Sequence, residues 1–75
     1  MTNKNIVGGL DISNLALNLN KFRNEAGFTV EALAWEIGVS ARVVYDYESG
    51  KKKPSLETAV KIATVLNIAM DCLFR

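Results

Sequence analysis

Apolar residues recur along this chain at helical spacing, and glycines punctuate them. Leu15, Leu19, Phe22 and Ala26 fall at intervals of four, three and four, which is one face of a first helix that Gly27 ends. Thr29 then offers an N-cap to a second helix, VEALAWEI, with Leu33, Ala34 and Ile37 inward. Its third helical position is Ala32, so the reciprocal capping box is missing. Gly38 closes that helix. Ser40 caps a third, ARVVYDYES, with Val44 and Tyr47 inward and Gly50 as a left-handed stop. After Lys51, Lys52, Lys53 and Pro54, Ser55 caps a fourth helix whose predicted core stripe is Leu56, Ala59, Val60, Ala63 and Leu66, before Asn67 breaks it. A short last helix over roughly residues 69 to 74 contributes Met70 and Leu73. Nothing alternates with period two for long enough to make a sheet. The expectation is an all-α fold of five short helices over residues 13–75, preceded by a flexible arm over residues 1–12.

Composition narrows the possibilities. At 75 residues and 49% hydrophobic content, the chain supports one small core and excludes a second domain. Cys72 is the only cysteine and histidine is absent, so no disulfide framework and no zinc site of the usual spacing is expected, nor any other metal or cofactor. A reducing, cytoplasmic setting follows. The N-terminal stretch MTNKNIVGGLDISN lacks the continuous apolar run of a signal peptide and the length of a membrane span, which predicts a soluble chain with no membrane partner. Net charge is only +1, so any basic surface has to be local, and Lys51, Lys52 and Lys53 are the place for it. The bland reading of that run is a solvated loop.

Catalysis is not expected. A phosphate-binding Walker loop would need glycine at position 45 and a hydroxyl residue after Gly50 and Lys51, where the chain has Tyr45 and Lys52. Without histidine, and with little volume beyond a core, the chain has no visible room for an active site or a small-molecule substrate.

The centre of the chain has a specific grammar: Ala34, Gly38 four residues later, Val44 six after that. Two helices crossing through a tight turn need a small residue at the crossing, one tolerant of positive φ in the turn, and a branched apolar side chain to plug the angle. That describes a helix-turn-helix. In order and spacing, the segments LALNLNKFRNEAGFT, LAWEIGVS, YESGKKKPSLETAVKIATVLNI and MDCLF resemble the Cro/repressor type of helix-turn-helix domain, the XRE family, over residues 13–75.

The resemblance implies a five-helix, lambda-repressor-like bundle whose third helix enters the major groove of double-stranded DNA, usually as a homodimer on a palindromic operator. It places Ala41, Arg42, Tyr45 and Asp46 at base edges, with Arg42 suited to guanine, Ala41 to a thymine methyl and Tyr45 to a base or phosphate. Asp46 departs from the family, which often has Arg, Lys or Gln there; a carboxylate is repelled by phosphate unless it accepts from a cytosine amino group. Val30 departs too, replacing a Gln that binds phosphate. The positive N-terminus of the second helix and the amides of Thr29 and Val30 remain available to phosphate, with Ser40 and the three lysines as further contacts. Arg23 matches a family residue that more often braces the fold than touches DNA, with Glu48 as the expected partner. Dimerisation is expected through Met70, Leu73 and Phe74.

Trp35 stands where the family usually has a charged residue. It is either core folded back on the first helix or an exposed anchor for a partner, and Leu17 raises the same question. The first reading is therefore a sequence-specific transcriptional repressor. The second is a helix-turn-helix used as a protein-interaction module, antitoxin-like or the partner of an antirepressor, which Asp46, Val30, Trp35 and the weak net charge favour.

Overall fold

Three of the helices begin on a hydroxyl residue that accepts a hydrogen bond from the first turn. In a computed structural model describing residues 6–7, 10–11 and 14–74, Thr29 Oγ1 accepts from the Ala32 amide at 3.0 Å, Ser40 Oγ from Val43 at 3.3 Å and Ser55 Oγ from Thr58 at 3.2 Å. The elements are β1 (Ile6–Val7), β2 (Leu10–Asp11), α1 (Leu15–Glu25), α2 (Val30–Ile37), α3 (Ala41–Ser49), α4 (Leu56–Leu66) and α5 (Met70–Leu73). β1 and β2 form an antiparallel ladder of two pairs, Ile6 with Asp11 and Val7 with Leu10, too short for alternation to announce. The rest of the expected arm lies outside the described residues. The body is all-α, with five helices. Among the described residues no helix is long and apolar enough to cross a membrane.

Each helix contributes one side chain with essentially no exposure: Leu19 from α1, Leu33 from α2, Val44 from α3, Ile62 from α4 and Leu73 from α5. Full burial of such a side chain stabilises by roughly 1.5 to 3 kcal/mol, so the five are the hub on which the helices converge. Leu15, Val30, Ala34, Ile37, Ala63 and Leu66 complete the surrounding layer, and Phe22 and Phe28 pack against it half-buried. α3 lies against both α1 and α2. Asn18 of α1 donates its side-chain amide to the Leu73 carbonyl at 3.0 Å, which pins α5 back onto α1.

Several core expectations need correction. On α4 the inward stripe is Ala59, Ile62, Ala63 and Leu66, whereas Leu56 and Val60 face outward. The stripe is rotated toward Ile62 because α2 and α5 both pack on that side. Ala26 is the exposed C-cap of α1 rather than a core residue, and Arg23 takes the buried place one turn earlier. Leu73 is wholly buried, as its inward place in the last helix predicts, and so leaves the surface expected for a second chain to its neighbours.

The turn between α2 and α3 depends on Gly38, the left-handed C-cap at φ 75°, ψ 32°, after which the Val39 amide returns to the Ala34 carbonyl at 3.0 Å. A Cβ there would meet nothing within 4 Å, so a substitution acts on backbone conformation alone. Gly38→Ala is therefore expected to cost about 1 to 2 kcal/mol in urea unfolding, the penalty of a left-handed non-glycine residue. A loss above that range would mean that the turn itself has rearranged.

Candidate nucleic-acid interface

The exposed side of α3 is built from residues one turn apart. Arg42 and Tyr45 project from it, with 79% of the Arg42 side chain and 53% of Tyr45 accessible, while Val44 and Tyr47 face the core. Ala41 and Val43 are half-buried flanks. The nine-residue helix is closed by a cap that ties the following loop to its last turn. Gly50 turns left-handed at φ 80°, and the amides of Lys51 and Lys52 both donate to the Asp46 carbonyl, at 2.9 and 3.1 Å. Lys51, Lys52 and Lys53 are exposed, so three ammonium groups continue from the end of α3 on a backbone tied to it.

Asp46, expected at a base edge, is more covered than its neighbours on α3. Its side chain is only 12% exposed, and Oδ1 is 3.7 Å from Nε of Arg42, one turn earlier on α3. It belongs with Val44 and Tyr47 among the buried residues of α3, unlike the exposed Arg42 and Tyr45. Neither the helical period nor the family pattern signals this.

α3 is held from behind by Arg23 of α1. Its Nε donates to Glu48 Oε2 at 2.5 Å, Nη2 to Oε1 at 3.1 Å, and Nη1 to the Phe28 carbonyl at 2.8 Å. Asn20 adds its own amide to Glu48 Oε1 at 2.7 Å. The Arg23 and Glu48 side chains are about nine-tenths covered. The Glu48 hydrogen bond raises the Arg23 pKa, outweighing the opposing effect of burial. One guanidinium therefore joins α1, the α1–α2 loop and α3 through a bidentate pair, a geometry lysine does not reproduce. The Arg23–Glu48 pairing is where the sequence placed it; the Asn20 contact had no signal in the pattern.

At the front edge of α2, Thr29 is exposed and its hydroxyl is engaged as the N-cap. Val30 buries its side chain in the core, so only its backbone amide remains to offer. The first-turn amides of α2 have no partners within the helix and carry the positive end of its dipole. Glu31 in that same turn supplies an opposing charge. Ser40, exposed, caps α3 through its hydroxyl. Ser40 and the lysines thus stand at the two ends of α3, with Arg42 and Tyr45 between them, while Thr29 and Val30 open α2.

Trp35 resolves to the exposed alternative. It is 84% accessible on the outer side of α2, and Leu17 is 71% accessible on α1. Met70 and Phe74 are half-buried on α5, and Cys72 is likewise half-buried.

A capped helix, a left-handed glycine turn and a second capped helix with an exposed cationic side define a helix-turn-helix. The helix-turn-helix family model HTH_3 matches residues 19–71, and the chain belongs to this family, in its Cro/repressor type, whose members bind DNA and regulate transcription. An uncharacterized HTH-type transcriptional regulator of Archaeoglobus fulgidus is 41% identical over 56 residues, spanning 75% of this chain and 80% of its own. The restriction-modification controller protein C.AhdI of Aeromonas hydrophila superposes with a TM-score of 0.78 at 31% identity, over 85% of this chain and 97% of that one. The biofilm master regulator SinR, solved in complex with DNA, shares the fold with a TM-score of 0.76 at 22% identity, over 81% of this chain and 98% of its own.

Proposed function

We propose that the chain is a sequence-specific repressor that binds a palindromic operator as a homodimer in the cytoplasm, with α3 in the major groove. The observation that carries this reading is the continuity of α3 with the lysine loop. Arg42 and Tyr45 face out from the helix, and the Lys51 and Lys52 amides are bonded back to it, so base-reading and phosphate-binding groups are presented as one rigid unit. Arg42 reads guanine, Ala41 and Tyr45 shape preference, and Lys51, Lys52, Lys53, Ser40 and the amides of Thr29 and Val30 hold phosphates. Similarity to a restriction-modification controller supports a regulator of transcription. Repression is steric: two α3 helices about one turn of DNA apart occupy the site that polymerase needs. The apolar surface for the dimer is Leu56 and Val60 of α4, with the half-buried Met70 and Phe74 of α5.

A second reading rests on Trp35 and Leu17, which leave large apolar surface on α2 and α1 and suit a protein partner more than DNA. One experiment separates the two. The chain is titrated against duplexes from its own upstream region across a series of salt concentrations. A DNA reader loses affinity along a log-log line whose slope reports the number of phosphates it neutralises, and saturates at two chains per operator. Absence of binding to any duplex at low salt would exclude the first reading and favour the second.

A further inference from the structure

An acid on a phosphate-facing helix is out of place, and its geometry identifies what it faces instead. The Asp46 carboxylate is largely covered, and its near cation is Nε of Arg42 at 3.7 Å. At that separation the two form an ion pair without a hydrogen bond, and since Arg42 is mostly exposed the pair adds little to folding stability. Its effect is on direction. The covered carboxylate is the fixed member and the exposed arginine the movable one. Nε is the Arg42 atom nearest Asp46, and among the described residues no hydrogen bond engages Nη1 or Nη2.

The neighbouring cations contrast with this. Among the described residues, Lys51, Lys52 and Lys53 have no carboxylate within ion-pair distance. A free ammonium is satisfied by whichever phosphate is nearest, whereas a planar fork held at one edge has a preferred heading. A partner carboxylate also weakens the pull of phosphate on the guanidinium, because phosphate approaching Arg42 approaches Asp46 as well.

We propose that Asp46 is a positioning residue that makes no DNA contact: its charge draws the Arg42 guanidinium by its Nε edge, off the phosphate backbone, which leaves both Nη groups for O6 and N7 of a guanine. The inference rests on α3 being the base-reading helix. It assigns to Asp46 the role of narrowing what Arg42 binds. Removing the charge releases Arg42 to phosphate, so specificity falls while general affinity is kept or gained.

The test selects binding sites from a pool of random duplexes with the wild type, Arg42→Ala, Asp46→Asn and the double variant, following thermal unfolding of each. The wild type is expected to enrich a guanine that Arg42→Ala no longer selects. Asp46→Asn should lower discrimination at that same position by about tenfold, hold or raise affinity for the random pool, and unfold as the wild type does. The double variant should discriminate no worse than Arg42→Ala alone. Asp46→Ser gives the same comparison should the asparagine variant fold poorly. Three results would overturn the proposal while leaving the DNA-binding reading standing: unchanged guanine preference in Asp46→Asn, a uniform affinity change at every sequence, or loss of a cytosine preference that survives in Arg42→Ala. If the wild type selects no site at low salt, the reading of α3 fails and the proposal with it.

Discussion

Arg23→Ala is expected to cost about 3 to 5 kcal/mol of folding stability, the effect of removing one partner from a covered ion pair. The truncation leaves the Glu48 carboxylate in place with the Asn20 amide as its remaining side-chain donor. It also strips the Phe28 carbonyl of the Nη1 bond that ties the α1–α2 loop. Against the roughly 5 to 15 kcal/mol that holds an ordinary domain together, such a loss is a large fraction of the total and, at the low end of that range, leaves the chain near its unfolding midpoint at room temperature. Circular dichroism in urea measures it. The double variant Arg23→Met with Glu48→Leu should recover most of the loss, because an apolar pair removes both the charge and its desolvation penalty. A cost below about 1 kcal/mol for Arg23→Ala would instead mark the pair as a solvated surface bridge.

The pH behaviour of this pair has a definite sign. The hydrogen bond to Glu48 raises the Arg23 pKa, so its stabilisation is fully present below the ordinary arginine value and is lost only as pH climbs past the raised one. Arginine titration therefore contributes no slope to stability across the neutral range. The penalty of Arg23→Ala should be the same on either side of neutrality as far as that group is concerned.

The second large effect concerns DNA. Replacing Lys51, Lys52 and Lys53 together by alanine should flatten the dependence of log affinity on log salt by up to about 3 units, near 0.9 for each phosphate no longer neutralised. Base preference should survive, because Arg42 and Tyr45 are untouched. Folding should be unaffected, since the three side chains are exposed and the bonds that anchor the loop come from the Lys51 and Lys52 backbone. Fluorescence anisotropy over a salt series reads the slope. An unchanged slope would return the lysines to the status of a solvated loop.

Local chemistry was the most legible part of the sequence. Thr29, Ser40 and Ser55 cap the helices they were expected to cap, and Gly38 and Gly50 take the left-handed stops, because caps and stops depend on neighbours in the chain. The rotation of a helix about its own axis was less legible. On α4 the residues Leu56, Ala59, Val60, Ile62, Ala63 and Leu66 hold two overlapping apolar stripes, and which one turns inward is decided by α2 and α5, not by the period. The burial of Leu73 and Asp46 was hidden for the same reason. A short apolar end looks like a free edge until α1 is found to hold it at Asn18, and a carboxylate beside an exposed arginine looks open until its cover is seen. Val30 was read for the side chain it lacks, whereas its burial makes it a core residue.

The bracing of α3 separates two kinds of change that a lineage can undergo. Glu48, Tyr47 and Val44 carry its attachment to the body, while Arg42 and Tyr45 stand mostly in solvent on its far side. Surface substitutions of that second kind usually shift stability by no more than about 0.5 kcal/mol. On the proposed reading of α3, a descendant that exchanges residues 42 and 45 would recognise another control sequence while inheriting the scaffold intact, so new regulatory wiring would need no new fold.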